Sequence, residues 1–415
     1  MRTILLGICI FISSIGLAQR ECTSSAYLET QKMVQPDLQA RLQHIQAFID
    51  KQLQSLPVTA IGTKENGNQP VYKIPVVVHV LYNNAAQNIS DAMVKSQIDA
   101  LNRDFRRTNA DTSNTPDRFK EVAADVQIEF ALATADPKGR PTSGIVRKAT
   151  NTSYWRMDDK IKFSAQGGDD AWDSRYYLNI WVGNLQSTLA YSSVPGGPAD
   201  KDGIVVALSA FGTINVGGAF NMGRTVVHET GHWLGLLHIW GDSYCGDDLV
   251  GDTPKQGNFT SGCPSGFRSS CSNGTTGDMY MNYMDYTNDA CLNLFTEGQK
   301  QRMRSLFASG GPRSSILASR GLDVPWMEAA PLEELPVAID LKVYPNPAAS
   351  QLTLTCNASW IGKNALIINM NGSVLSSTPI TATTQKFNVS SLRPGIYYLQ
   401  ADQEGEKIRV KFVKL

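Results

Sequence analysis

The chain has 415 residues, with 38 Lys and Arg set against 38 Asp and Glu and 42% hydrophobic residues. That length exceeds what one hydrophobic core usually holds and predicts one large domain with smaller appendages. Zero net charge without a basic cluster gives no footing for nucleic acid or an anionic membrane as partner, so function has to be read from sites.

Residues 1–18, MRTILLGICIFISSIGLA, place Arg2 before an apolar run and close on small residues, the pattern of a secretory signal peptide cut before Gln19. No later stretch is long and apolar enough for a membrane-spanning helix, so the expected product is exported and soluble. Residues 19–70 are polar, with a helix expected from Asp37 to Leu53. GTKENGNQP follows as an exposed, cleavable connector. KIPVVVHVLYN (Lys73 to Asn83) predicts a strand. SDAMVKSQIDALNRDFRR predicts a helix capped by Ser90 or Asp91, with Val94, Ile98, Leu101 and Phe105 on one face. Further strands are expected at 126–133, 178–185 and 203–211, and strands mixed with helices point to a helix-covered, mostly parallel sheet. His44 and His79 are expected as ordinary surface and core residues.

The chemistry concentrates in HETGHWLGLLH, residues 228–238, on a helix expected to begin near Asn221. His228 and His232 are four apart and share a helical face, where two imidazoles suit a tetrahedral zinc ion. A helix continued to His238 would carry it about 240° round and 9 Å along, away from the metal. Gly235 resolves the conflict, because glycine accepts the left-handed conformation that ends a helix and turns the chain. His238 then returns as a third ligand and leaves the fourth position open, as in catalytic zinc sites. Glu229 lies beside the metal rather than on it. There it suits the base that takes a proton from water and later delivers it to the departing amine.

Of seven cysteines, Cys245, Cys263, Cys271 and Cys291 cluster downstream of the histidines. In an exported chain they predict two disulfides, with three pairings open. Cys22, in RECTSS, stands alone in the polar N-terminal segment. A thiolate is a soft zinc ligand and suits the fourth position in a latent form, the alternative being an incidental free cysteine.

HExxHxxGxxH followed by MNYMDY (281–286) resembles the metzincin metalloproteases. Together with HIWGD (238–242), CGDDLVGDTP and NYMDY, the stretch from about 74 to 310 is similar to the pappalysin family within them. That resemblance implies a twisted mixed α/β sheet with an active-site helix above a loop-rich, disulfide-bearing lower subdomain, in a domain spanning 71–312. It implies Met284 beneath the zinc site, Tyr286 reaching toward metal and oxyanion, and the pairings Cys245–Cys271 and Cys263–Cys291. It also implies calcium, for which Asp247, Asp248, Asp252 and Thr253 offer oxygen ligands, and zymogens silenced by a cysteine such as Cys22. Some members cleave beside arginine or lysine through an acid after the Met-turn; here the stretch is YTNDAC, making Asp289 the candidate and leaving Ala290 directly before the cysteine.

A loose linker, 313–340, precedes residues 341–415, whose short alternating segments predict a small all-β sandwich. VYPNP, PGIYYL and the terminal VKFVK resemble the C-terminal sorting domain of type IX secretion substrates from Bacteroidota; an accessory carbohydrate- or protein-binding sandwich is the alternative. The sequence thus predicts a secreted or surface-attached zinc endopeptidase made as a zymogen, with protein and peptide substrates and the type IX machinery as partners. The competing expectation, an inactive metal-stabilised adhesin, leaves Glu229 without a purpose.

Overall fold

The computed structural model describes residues 22–55, 69–327, 341–403 and 406–415. The expected signal peptide, most of the connector and the second half of the expected linker lie outside these. The chain divides into two compact units, 1–328 and 329–415.

The first unit opens with α1 (Ser24–Val34) and α2 (Leu38–Gln54), followed by β1 (Tyr72–Tyr82), α3 (Asp91–Phe105), the short α4 (Asp117–Lys120), β2 (Ile128–Leu132) and β3 (Ile145–Ala149). Then come β4 (Leu178–Gly183), β5 (Ala190–Ser192), β6 (Ile204–Ala207), α5 (Arg224–Trp233) and α6 (Glu297–Ser305). The sheet order is β2-β1-β4-β6-β5, with β3 also pairing β1. All pairs are parallel except β5 with β6. Ile74, Val76, Val78 and Val80 of β1 share a core with Val94, Ile98, Leu101 and Phe105 of α3. Leu81 and Trp181 face the other way, into a cluster with Tyr27 and Tyr191. Both faces are therefore covered, which is why β1 reads as an unbroken apolar run. Ser90 caps α3 by accepting from Met93 N–H at 3.2 Å.

β5 is antiparallel, three residues long and at the sheet edge. Its outer side bonds the N-terminal segment: Thr23 N–H donates to Ala190 O at 3.1 Å, and Ser192 N–H donates to Ser24 Oγ at 2.8 Å.

Past α5 the chain changes character. Between Leu234 and Phe295 the described residues form no strand and no helix beyond one 3-10 turn at Asp289–Cys291. Disulfides Cys245–Cys271 and Cys263–Cys291 close loops of sequence separation 26 and 28 there. Asn282 and Gln299 exchange side-chain hydrogen bonds at 2.9 and 3.0 Å, tying this region to the start of α6. Residues 313–327, expected as linker, instead pack on the first unit: Arg313 ion-pairs with buried Asp202, and Gly321 O accepts from Thr134 N–H.

The second unit is a pair of antiparallel sheets. One has the order β10-β9-β12-β13, from β9 (Asn364–Asn369), β10 (Val374–Pro379), β12 (Gly395–Gln403) and β13 (Glu406–Lys414). The other is β11-β8-β7, from β7 (Lys342–Tyr344), β8 (Gln351–Thr355) and β11 (Thr384–Asn388). Leu352, Leu354, Trp360, Ile367, Leu399 and Phe412 fill its core.

Candidate active site

Helix α5 starts three residues later than expected. Gly223 at φ 75° turns the chain, and Arg224 is buried in ion pairs with Asp104 and Asp111 at 3.1 and 2.6 Å. The helix stops after Trp233, with Gly235 at φ 79°. His238 thereby returns: His232 Nε2 lies 3.1 Å from both His228 Nε2 and His238 Nε2.

Each imidazole is oriented through its other nitrogen. His228 Nδ1–H donates to Tyr283 O at 2.7 Å and His232 Nδ1–H to Leu236 O at 2.9 Å; carbonyls only accept, so both Nε2 lone pairs face inward. His238 Nδ1 bonds the Asp242 carboxylate, the arrangement that fixes a ligating histidine and raises its basicity. Burial and neighbouring His238 hold His232 well below the usual histidine range, so it is neutral. Inward lone pairs this close repel one another unless a cation sits between them, and tetrahedral zinc at about 2.0–2.1 Å from each nitrogen sets such nitrogens about 3.3 Å apart. The donor set fits zinc.

Cys22 completes the cluster. Its sulfur and the three histidine nitrogens lie within 4.8 Å of one another, the only such grouping of ligating side chains among the described residues. Without a cation, burial and then the Glu229 charge push the thiol well above its ordinary value; a metal ion would reverse that and favour the thiolate.

Glu229 is fully buried beside the histidines and accepts from Ser24 Oγ at 2.7 Å. Tyr286 donates to the Cys22 carbonyl at 2.8 Å, and its ring lies edge-on to His238 at 4.9 Å. Burial, then the neighbouring Cys22 and Glu229, push its phenol up, keeping it a donor. Met284 lies under the helix: a Cβ on Gly231 would come within 2.5 Å of its sulfur, so only glycine fits there. Trp240 stacks on His238 with ring centres 4.4 Å apart.

Asp289, the candidate for a substrate pocket, has its carboxylate at the start of α5. It is fully buried, and its carboxylate accepts from Met222 N–H and Arg224 N–H at 2.8 and 3.1 Å, capping α5, while Ala290 is exposed. Asp252 turns away from Asp247 and Asp248, accepting from Thr296 Oγ1 and Gly298 N–H at the start of α6. Asp248 and Thr253 do meet, at 2.8 Å, and border with Asp247 a cavity of about 510 Å³.

Sequence reasoning passed over Ser24, Ser25, Asp242 and the β5 edge. Asp242 stood inside HIWGD four residues after His238, and Ser24 and Ser25 stood beside Cys22; nothing in composition tied either to the cleft.

Comparison with known proteins agrees with this geometry. Residues 162–308 match the family described as pregnancy-associated plasma protein-A, and 342–415 match the secretion system C-terminal sorting domain. An extracellular metalloprotease of Pyricularia oryzae is 46% identical over 253 residues, covering 58% of this chain and 76% of that protein. One from Coccidioides posadasii is 31% identical over 252 residues, covering 58% and 78%. A point mutant of Tannerella forsythia promirolysin superimposes with a TM-score of 0.65 at 44% identity, covering 72% of this chain and 97% of its own. Mature mirolysin of the same organism, in complex with a cleaved peptide, gives 0.59 at 49% identity, covering 60% and 97%. Two histidines on a helix and a third brought back past the glycine that ends it, the stapled lower half and the β tail have one explanation: this chain belongs to the pappalysin family of zinc metalloendopeptidases, carrying a C-terminal sorting domain that marks it as secreted or surface-bound.

Proposed function

We propose that this endopeptidase cleaves peptide bonds with Glu229 as base and then acid, and that residues 22–55 hold it latent until the connector after them is cut. One observation carries both readings: the carboxylate beside the three histidines is occupied by a serine of the chain's own N-terminal segment.

His228, His232 and His238 would hold zinc, which when bound polarises the scissile carbonyl and acidifies water. The protein's own part is separable from that. Glu229, buried and 2.7 Å from a hydroxyl in this form, is positioned to take a proton from whatever oxygen replaces Ser24 and to hand it to the leaving amine. Tyr286, now donating to the Cys22 carbonyl, is freed on release of the segment to donate to an oxyanion. Ala190 O and Ser192 N–H, now bonded to residues 23 and 24, become main-chain partners for an extended substrate.

Latency draws support from three contacts at one locus: Cys22 among the histidines, Ser24 on Glu229 and Ser25 Oγ at 3.2 Å from His238 Nδ1. The wider coverage of this chain by promirolysin than by mature mirolysin agrees with it. Calcium narrows to the loop bearing Asp247, Asp248 and Thr253, where burial raises Asp248 to about 7 and a divalent ion would offset the uncompensated charge. Preference for basic residues stays with Asp289 as its candidate, whose carboxylate also accepts from two amides at the start of α5. The type IX machinery is the partner proposed for residues 342–415, and the adhesin reading has no use for the buried Glu229.

The test is a proteome-derived peptide library offered to full-length and connector-trimmed protein, with and without a chelator. The trimmed protein cleaves and the chelator stops it, whereas the full chain is silent. Equal activity in the two forms contradicts latency, and chelator-resistant cleavage contradicts the zinc site.

A further inference from the structure

One helical turn beyond Ser24, the N-terminal segment enters a second socket that takes no part in the chemistry above. Tyr27 is 3% exposed. Its hydroxyl lies 2.9 and 3.0 Å from the two carboxylate oxygens of Asp159, and Lys162 Nζ donates to it at 3.3 Å. Lys162 and Lys201 also ion-pair with Asp159 at 3.0 and 3.1 Å. Lys162 is fully buried and Asp159 nearly so. The Tyr27 ring packs against Tyr191 with centres 4.8 Å apart, in a cluster with Trp155, Ile161 and Trp181.

Apart from Gln31 of α1, whose Nε2–H donates to Asp159 at 3.3 Å, the groups around Tyr27 belong to the part of the chain downstream of the connector. Asp159 is held at φ 62°, a left-handed conformation that aspartate tolerates better than most residues, and it presents its carboxylate to the phenol. The polar end matches one ligand chemistry on both counts: the carboxylate accepts a hydrogen bond and the ammonium donates one, which a phenol satisfies with a single oxygen. The apolar walls fit its ring.

The position matters as much as the chemistry. Ser24 and Tyr27 are three apart on α1, so their side chains leave the helix about 5–6 Å from each other, and Ser24 Oγ is 2.7 Å from Glu229. Tyr191 sits between Ala190 and Ser192, whose outer edge holds the main-chain N–H of Thr23 and the hydroxyl of Ser24. The socket therefore lies beside the catalytic carboxylate, along the edge strand that an extended peptide in the cleft would follow.

We propose that in the processed enzyme this socket is a substrate subsite that selects a tyrosine side chain, with the ring against Tyr191 and the hydroxyl between Asp159 and Lys162. The proposal rests on the reading of residues 22–55 as a removable segment. Phenylalanine fits the walls but leaves the buried carboxylate and ammonium without their shared partner, which is the origin of the selectivity.

The experiment profiles cleavage of a peptide library by connector-trimmed parent, Asp159→Asn and Lys162→Met, scoring the ratio of tyrosine to phenylalanine at each position around the scissile bond within each protein. The parent is expected to favour tyrosine at one fixed position by about tenfold, the size of one buried hydrogen bond. Both variants are expected to bring that ratio near unity. Lys162 donates to the hydroxyl directly and its loss leaves Asp159 paired with Lys201, so its variant carries the test if Asp159→Asn fails to fold. A flat ratio at every position in the parent, or a tyrosine preference that survives in the folded variants, overturns the subsite. A full-length chain as active as the trimmed one overturns instead the reading beneath it, and the two failures are told apart by that single control.

Discussion

Residues 69–233 and 234–327 are held rigid by different means. The first stretch contains the whole sheet and a core of aliphatic and aromatic side chains on both faces, with no disulfide. The second has one α-helix and two disulfides, and most of its length is loop. The groups of the candidate site straddle the seam: His228, Glu229 and His232 come from the last helix of the first stretch, whereas His238, Met284 and Tyr286 come from the second. Regular structure supplies two of the clustered histidines and the buried carboxylate; cross-links and buried polar contacts bring the third histidine and the phenol to them.

That contrast predicts different sensitivities. The largest effect belongs to the sheet half: Phe105→Ala, which removes a fully buried ring packed on Phe130 and Phe295, should cost about 3–5 kcal/mol in urea unfolding. A cost below about 1 kcal/mol would show that this core does not carry the half. Next, replacing Cys263 and Cys291 together by serine removes a cross-link of separation 28, which should cost about 3 kcal/mol. The same change should lower peptidase activity more than far-ultraviolet circular dichroism, because the sheet does not depend on it.

A smaller effect comes from pH. Burial raises Asp285 from 3.8 to about 6, although Gln256, Thr260 N–H and Tyr286 N–H donate to it. Between those values the folded chain holds a proton that the unfolded chain has released, so stability falls as pH rises from about 4 to about 6. A tenfold change in proton affinity is worth about 1.4 kcal/mol, so at most about 3 kcal/mol is at stake. Asp285→Asn should flatten that slope in melting curves; an unchanged slope would assign it to other groups. The smallest is Asp289→Ala, which removes acceptors for two amide groups at the start of α5 and should cost about 1 kcal/mol while selectively weakening cleavage at basic residues. An unchanged cleavage profile would remove Asp289 from the substrate pocket.

Legibility in the sequence followed the same division. Strand β1, helices α2 and α3 and the turn at Gly235 were readable because periodicity, capping and glycine geometry are local. The short β3 and β5 were not: three or five residues carry no period, and β5 exists because β6 offers it an edge. Helix α1 was missed because SSAYLETQKMV has a weak apolar stripe, and its burial comes from the cleft it occupies rather than from its own pattern. The meeting of His228, His232 and His238 beside Glu229 was legible since helical spacing and a glycine turn are local geometry. The helix-start role of Asp289 was not legible, because proximity in sequence to the Met-turn does not fix which way a carboxylate faces.

The most direct measurement on the central claim is zinc content and peptidase rate on one preparation of connector-trimmed Glu229→Ala. The three histidines and their orienting partners survive that change, so zinc should stay near one per chain while turnover falls by a factor of about 10²–10⁴, the range expected for a lost proton-transfer group. Turnover close to that of the parent at full zinc occupancy would remove Glu229 from the mechanism.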